Sequence, residues 1–208
     1  MYDFISDLDG FFCEKYANYD KLCILPGYVM PVMQRSEVRA DGRTYAYTLP
    51  ANTMRLATQE KKDELLMELK KRMTDMTFSF SFRPFGIFAK LRNRFSKFAI
   101  DKALKGMLEK YGISEEEALA GMDISEEIWR GILKGKFEPT KNLLYSLGLT
   151  MQLSYDDLCT LMGFCGYQFD FADVKDVVIV YLFQQKVYNR GMIDAALKEY
   201  KISNLFLK

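Results

Sequence analysis

Two carboxylates near the start of the chain, Asp7 and Asp9, stand two residues apart in front of Gly10. Such a pair can carry out phosphoryl transfer, in which one aspartate attacks the phosphorus and its neighbour acts as acid or base. That chemistry requires a β-strand ending at the pair, and no run of β-branched apolar residues precedes Asp7. Apolar residues recur instead at intervals of three and four, at Phe4, Leu8, Phe11 and Phe12. This period predicts an amphipathic helix over residues 2–19, with the aspartates on its solvated face.

The same four residues, Asp7 to Gly10, resemble the nucleophile loop of haloacid-dehalogenase-like phosphatases. In that family a threonine follows the glycine, whereas Phe11 holds this position here. The prediction for this segment is therefore a helix without a catalytic residue.

The residue types that most hydrolases and zinc sites use are scarce. The chain has no histidine, which removes imidazole bases, histidine-paired nucleophiles and most catalytic zinc sites. The four cysteines lie in apolar surroundings without C-x-x-C spacing, at Cys13, Cys23, Cys159 and Cys165. Reduced, buried thiols are the expected state. We therefore predict no metal, no cofactor and no enzymatic activity.

Length and composition are those of an ordinary globular protein. The chain has 208 residues, enough for one large or two small domains, and 49% of them are hydrophobic. The longest apolar run, Val177–Phe183, is much shorter than the roughly 20 residues of a membrane span. The N-terminus also lacks a signal-peptide pattern. We therefore expect a cytoplasmic protein without a membrane partner.

The N-terminal part predicts a small α+β domain over residues 1–83. Asp41-Gly42 separates two strand-like runs, Val32–Arg39 and Arg43–Leu49, which indicates a hairpin because glycine tolerates positive φ. An amphipathic helix is predicted for Thr58–Met73. Phenylalanine alternates with serine and threonine over Thr77–Phe82, which predicts another strand. Together these elements predict a three-stranded sheet with helices on its apolar face.

A basic aromatic connector helix is predicted for residues 84–100. Net charge of the whole chain is +1, yet residues 76–100 contain five basic residues and no acidic one. The basic residues are Arg83, Lys90, Arg92, Arg94 and Lys97. Such a helix can contact nucleic-acid phosphates, lie on an anionic membrane surface, or dock on both neighbouring domains. All three alternatives stay open, and the adjacent acidic segment favours the third.

Residues 101–208 predict an all-α domain of short helices. Residues that favour N-cap positions precede successive apolar sets, at Ser114, Ser125, Thr140 and Ser154. Glu117 follows Ser114 at the spacing of a capping box. Trp129 and Ile132 share one helical stripe that ends at Gly135, which predicts core positions. Extra helices are expected near residues 174–183 and 188–200, and the apolar tail 202–207 is expected to dock on its own domain.

Residues 101–164 carry several motifs in a fixed order. Ile113–Glu117 marks the entry to the second helix, and Ile124-Ser125 opens the third. The end of the third helix and the start of the fourth are marked by Ile132, Gly135, Lys136, Pro139 and Thr140. This order resembles the lambda-repressor/Cro-like helix-turn-helix family, of the xenobiotic-response-element type. The resemblance implies a helix-turn-helix domain of a bacterial regulatory protein. Since such proteins often pair, a homodimer through the last helices, within residues 167–208, is the expected form of self-association.

The predicted reading edge of this domain is acidic. Members of the family place polar or basic residues at the starts of the second and third helices, where they meet phosphates and base edges. Glu115, Glu126 and Glu127 hold those places here, and Ile113–Glu138 contains seven acidic and three basic residues. Such a surface repels the phosphate backbone. The three glutamates are therefore candidate contacts for a protein partner.

The sequence thus predicts a non-enzymatic bacterial regulatory or adaptor protein whose helix-turn-helix-like domain serves mainly for protein contacts. The alternative is a DNA-binding transcriptional or mobile-element regulator. Its candidate nucleic-acid contacts are Arg130, Lys134, Lys136 and Lys141, together with Arg83, Lys90, Arg92, Arg94 and Lys97 of the connector.

Overall fold

The computed structural model describes residues 3–16, 34–40, 42–48, 62–77, 83–84, 100–203 and 205–207. These ranges contain the helices α1 (Phe4–Lys15), α2 (Lys62–Arg72), α3 (Ile100–Tyr111), α4 (Glu115–Ala120), α5 (Glu126–Leu133), α6 (Lys141–Thr150), α7 (Tyr155–Phe164), α8 (Val174–Gln184) and α9 (Arg190–Glu199). They also contain the short strands β1 (Gln34–Val38), β2 (Thr44–Thr48), β3 (Met76–Thr77), β4 (Arg83–Pro84), β5 (Phe137–Glu138) and β6 (Ile202–Ser203). The described chain is therefore mainly helical with small sheets, compatible with the predicted α+β class.

Several helices begin at a side chain that accepts a hydrogen bond from a free backbone N–H. The predicted capping box at α4 is present: the Ser114 hydroxyl accepts from the Glu117 N–H at 3.1 Å, and the Glu117 carboxylate accepts from the Ser114 N–H at 2.8 Å. Ser125 and Ser154 cap α5 and α7 as predicted. Each of these caps depends on residues only three positions apart, which explains why the sequence predicts them.

Thr140 is the N-cap residue of α6 by position, but its side chain makes no cap hydrogen bond to the backbone. Its hydroxyl bonds to the side-chain oxygen of Asn142 instead. The predicted cap is therefore right in position and wrong in its hydrogen bond.

Strands β1 and β2 form the predicted antiparallel hairpin, in which Val38 lies opposite Thr44. Gly42 has a φ of +74° in the turn, a conformation that glycine adopts at little cost. Among the described residues no third strand joins this sheet. Met76–Thr77 pair in parallel with Ile202–Ser203, and residues 78–82 lie outside the described ranges. The described start of the predicted third strand thus pairs with the C-terminal tail.

The hydrophobic core is built around α6 and α8. Every residue from Asn142 to Leu149 is buried in α6, and every residue from Asp176 to Phe183 is buried in α8. Trp129 and Ile132 of α5 are buried in the same core, as predicted. Helix α1 also contributes to it, because it packs against α8 and α9. The N-terminal helix therefore lies on the C-terminal helices.

Two short strand pairs also join distant parts of the chain. Arg83 lies opposite Glu138 in the antiparallel pair β4–β5, and Met76 lies opposite Ile202 in the parallel pair β3–β6. The division into an N-terminal domain (1–83), a connector (84–100) and a C-terminal domain (101–208) stays a prediction, since residues 85–99 lie outside the described ranges.

The C-terminal tail docks on its own chain, as predicted. Phe206 is buried, and its N–H donates to the Ser146 hydroxyl at 2.9 Å. The Asp123 N–H donates to the Phe206 carbonyl at 3.1 Å, and Leu207 forms a β-bridge with Met122. The tail therefore supports the turn between α4 and α5. Within the described ranges no helix is long and apolar enough to cross a membrane.

Candidate functional site

Helix α5 turns one charged face toward solvent because its opposite face is held in the core. The Ser125 hydroxyl accepts from the Ile128 N–H at 3.3 Å and starts the helix. Trp129, Ile132 and Leu133 are buried beneath it. The exposed charges of the helix and the turn after it are Glu126, Glu127, Arg130, Lys134 and Lys136. We define these five residues as the α5 face.

An aromatic ring lies at the centre of the α5 face. Phe137 packs on the backbone of Gly131, so closely that a Cβ atom added to Gly131 would stand 2.5 Å from the ring. Contacts of that length do not occur between real Cβ atoms and carbon. Glycine at this position therefore allows Phe137 to cover the middle of the helix. Strand β5, which begins at Phe137, is itself held by pairing with β4.

A groove of about 380 Å³ runs over the α5 face. Its lining consists of Glu126, Glu127, Arg130, Gly131, Lys134, Lys136 and Phe137. The acidic side chains lie at the start of α5 and the lysines lie at or beyond its end. The groove is therefore acidic at one end, basic at the other and partly apolar in the middle.

Arg130 is neutralised within the α5 face. Its guanidinium forms an i,i+4 ion pair with Glu126, and both side chains are more than half exposed. An exposed pair of this kind contributes little to stability. It does reduce the positive charge that Arg130 offers to an incoming phosphate.

Lys141 forms an ion pair with a buried carboxylate of its own chain. Its ammonium pairs with Asp176, which is 2% exposed and also accepts from the Tyr145 hydroxyl at 2.8 Å and the Asp170 N–H at 2.7 Å. Burial, followed by the charge of Asp176, raises the pKa of Tyr145 above its ordinary value. The structure therefore places Lys141 in a buried ionic cluster between α6 and α8, and not with Lys134 and Lys136.

Of the remaining predicted site residues, the structure describes the side chain of Glu115 and the backbone of Arg83. Glu115 is exposed at the start of α4, 4.0 Å from Lys105. Arg83 is described only through its backbone, which pairs with Glu138 beside the α5 face. The other connector residues, Lys90, Arg92, Arg94 and Lys97, lie outside the described residues.

Asp7 and Asp9 lie on α1 and not on a loop at the end of a strand. The helix is therefore confirmed, but the prediction that both aspartates face solvent is wrong for Asp9. Its carboxylate accepts from Lys70 at 2.7 and 2.9 Å and from the Tyr200 hydroxyl at 2.7 Å. Asp7 accepts from the Tyr181 hydroxyl at 2.7 Å. Sequence periodicity could not show these bonds, because every donor lies more than 60 residues away.

A second polar cluster surrounds Asp157, and the sequence indicated only its contact with the cap residue Ser154. The Asp157 carboxylate accepts from Lys110 at 2.6 Å, from the Tyr111 hydroxyl at 2.5 Å and from the Ser154 hydroxyl at 2.9 Å. The hydrogen bond from Lys110 is the largest reason that the pKa of Asp157 is lowered, followed by the bond from Tyr111. The cluster joins the end of α3 to the start of α7. It therefore links the first helix of the helical unit to the start of its last helix.

Cys13 is buried, Cys159 and Cys165 are half-buried, and Cys23 lies outside the described residues. Burial raises the pKa of Cys165 to about 12, so its thiolate is scarce at neutral pH. In the part of the chain that the structure describes, no group of three or more acidic or cysteine side chains is placed to hold a metal ion.

A larger cleft, of about 540 Å³, lies between α9 and the C-terminal tail. Its basic side chains are mostly bonded within the protein: Arg190 pairs with Asp194, and Lys201 donates to the Met73 carbonyl at 2.7 Å. The exposed Asp75 and Lys198 also line this cleft, so it too presents charges of both signs, but unlike the α5 face it has no aromatic residue in its lining.

Comparison of the chain with protein-family models, with curated proteins and with solved structures finds no match.

Proposed function

We propose that this chain is a non-enzymatic, cytoplasmic bacterial regulatory or adaptor protein. Residues 101–164 form its helix-turn-helix-like unit, and the α5 face contacts a protein partner. In this proposal α5 takes the place of the recognition helix, but its side chains serve protein recognition.

The observation that carries the proposal is the charge distribution of the α5 face. Two of the four basic residues of the helical domain that were expected to meet DNA are already paired, Arg130 with Glu126 and Lys141 with the buried Asp176. Lys134 and Lys136 remain, and they share the groove with Glu126 and Glu127. Phosphate contacts supply a large share of DNA affinity, so two lysines beside Glu127, with Arg130 already neutralised by Glu126, offer little of it.

Helix α5 is also poorly suited to hydrogen-bond with base edges. Trp129, Ile132 and Leu133 are buried and cannot reach a base edge. Glu127 can accept a hydrogen bond from the N4 amino group of cytosine. Without basic side chains around it, however, its carboxylate would repel the neighbouring phosphates. An aromatic residue at the centre of the face is typical of a protein contact surface, and charges of both signs can select a partner with complementary charges.

One observation favours the DNA-binding alternative. The pairing of Arg83 with Glu138 brings the start of the basic connector next to β5 and the α5 face. In this alternative, Lys134 and Lys136 act together with Arg83, Lys90, Arg92, Arg94 and Lys97. The connector then supplies phosphate contacts that the helix itself lacks.

Fluorescence anisotropy with labelled duplexes tests the two functions against each other. The full chain is titrated, at low and at moderate salt, onto a pool of random duplexes and onto single duplexes enriched from that pool by binding. The adaptor function predicts only weak binding without sequence preference at moderate salt. Tight, sequence-selective binding that falls steeply with salt and is lost in Lys134→Glu/Lys136→Glu would reject it and establish the DNA-binding alternative.

A further inference from the structure

The α5 face is dipolar along the helix axis. Glu127 and Lys134 are seven residues apart, which is two helical turns, so they lie on the same side of α5 and about 10 Å apart along its axis. Both line the same groove. Negative charge thus lies at one end of the groove and positive charge at the other.

The charges at the two ends are available for a partner. Among the described residues no ion pair includes Glu127, Lys134 or Lys136, whereas Arg130, between them, is neutralised by Glu126. All three available side chains are exposed. The midpoint of the face therefore carries little net charge, and the two ends carry opposite charges.

We propose that the occupant of this groove is a second copy of this chain, with its α5 antiparallel to the first across a two-fold axis. The inference rests on the proposed use of the α5 face for protein contact. Under this symmetry Glu127 of each copy faces Lys134 of the other, so both ion pairs form at once.

Charge complementarity favours a second copy over a partner of a single sign. An acidic segment would be repelled by Glu127, and a basic segment would be repelled by Lys134 and Lys136. The groove needs both signs at the spacing of two helical turns, in reverse order. The α5 face itself supplies that pattern.

The centre of the face fits the same arrangement. The two-fold axis passes near Gly131, midway between Glu127 and Lys134, where the ring of Phe137 covers the helix. Two half-buried aromatic rings then meet at the axis and shield the flanking ion pairs from water. Because one helix is a small contact area, the association is weak and sensitive to salt.

Sedimentation velocity of charge-reversed full-length chains tests the arrangement. Glu127→Lys and Lys134→Glu are each expected to weaken self-association at low salt by at least tenfold, because like charges then face each other. An equimolar mixture of the two variants is expected to associate at least as well as the unaltered chain, since every facing pair is again of opposite sign. Lys186→Glu, an exposed charge reversal outside the face, is the matched control and is expected to leave association unchanged.

A monomeric unaltered chain at all concentrations, or a mixture that associates no better than the single variants, overturns the inference. Circular dichroism of each variant verifies that it is folded, so that loss of association is not loss of structure. Rescue in the mixture is itself proof of folding, because unfolded variants cannot restore each other.

A photo-crosslinking residue at position 136 separates failure of this inference from failure of the proposed function. A product with twice the mass of the chain supports the second copy. A product that contains a different protein and no dimer overturns this inference and leaves the adaptor function standing. Crosslinks to DNA alone overturn both.

Discussion

The hydroxyl of Tyr200 donates a 2.7 Å hydrogen bond to the carboxylate of Asp9, although 191 residues separate them. Lys70 binds the same carboxylate and also Glu199 at 2.6 Å. The cluster connects α1, α2 and α9. Burial, followed by the charge of Asp9, raises the pKa of Tyr200, so the phenol stays protonated and remains a donor. The Asp7–Asp9 motif is thus part of the contact between the two ends of the chain.

Replacement of Tyr200 by phenylalanine tests this contact. Hydrogen bonds to charged groups contribute about 1.5–3 kcal/mol, and Tyr200→Phe is expected to lower the unfolding free energy by about that amount. The measurement is urea unfolding followed by circular dichroism. Tyr188→Phe is the matched control, because its hydroxyl donates to the neutral Leu153 carbonyl and its loss should cost less. Equal losses in the two variants would contradict the role given to Asp9.

Because Lys141 pairs with the buried Asp176, replacing Lys141 is expected to destabilise the protein much more than replacing Lys134. Lys141→Met leaves a carboxylate that is 2% exposed without its counter-charge, which is expected to cost about 3 kcal/mol of unfolding free energy. Lys134→Met removes an exposed lysine of the α5 face and is expected to change stability by less than about 0.5 kcal/mol. Thermal and urea unfolding of both variants measure the contrast. A stable Lys141→Met variant would show that Lys141 is free to serve a ligand.

The Asp157 cluster predicts a pH dependence. The pKa of Asp157 lies below its ordinary value of 3.8 because Lys110 and Tyr111 donate to the carboxylate. A group whose pKa is lower in the folded state stabilises the fold above its unfolded-state pKa, and this stabilisation is lost as pH falls through the folded-state pKa. The stability difference between the unaltered chain and Asp157→Asn should therefore be constant near neutral pH and shrink below about pH 4.

Urea unfolding of both proteins at several pH values between neutrality and pH 3 measures this difference. Asp156→Asn, on the exposed side of α7, is the matched control. A difference for Asp157→Asn that does not change with pH would mean that the carboxylate is not stabilised by its charge.

Replacement by alanine is expected to destabilise the protein at Gly131, which contacts Phe137, and to stabilise it at Gly106. Gly131→Ala places a Cβ atom 2.5 Å from the Phe137 ring, and this overpacking is expected to cost about 1–3 kcal/mol. Gly106→Ala in α3 meets nothing within 4 Å and is expected to stabilise by about 0.5–1 kcal/mol. Thermal unfolding shows whether each variant is less or more stable than the unaltered chain. Destabilisation by Gly131→Ala should shrink when Phe137 is also replaced by alanine, since the clash is then removed.

The hairpin turn at Gly42, the cap residues Ser114, Ser125 and Ser154, and the burial of Trp129 and Ile132 could all be predicted from the sequence. Each depends on residues within a few positions of one another, through a turn conformation, a cap hydrogen bond or a helical period. The acidic start of α5 was equally evident, because its glutamates are consecutive in the chain. The sequence by itself thus determined most of the described helices and the sign of the charges on the candidate site.

Tertiary structure decided which of those charges remain available. Lys141 and Lys134 look alike in the sequence, yet one pairs with the buried Asp176 and the other lies exposed at the end of α5. Asp9 likewise binds partners from α2 and α9, and Met76–Thr77 pair with the tail and not with the hairpin. These outcomes depend on contacts between residues far apart in the chain, which no local period or spacing encodes. Short-range order therefore follows from the sequence alone, whereas long-range packing selects the residues of the site.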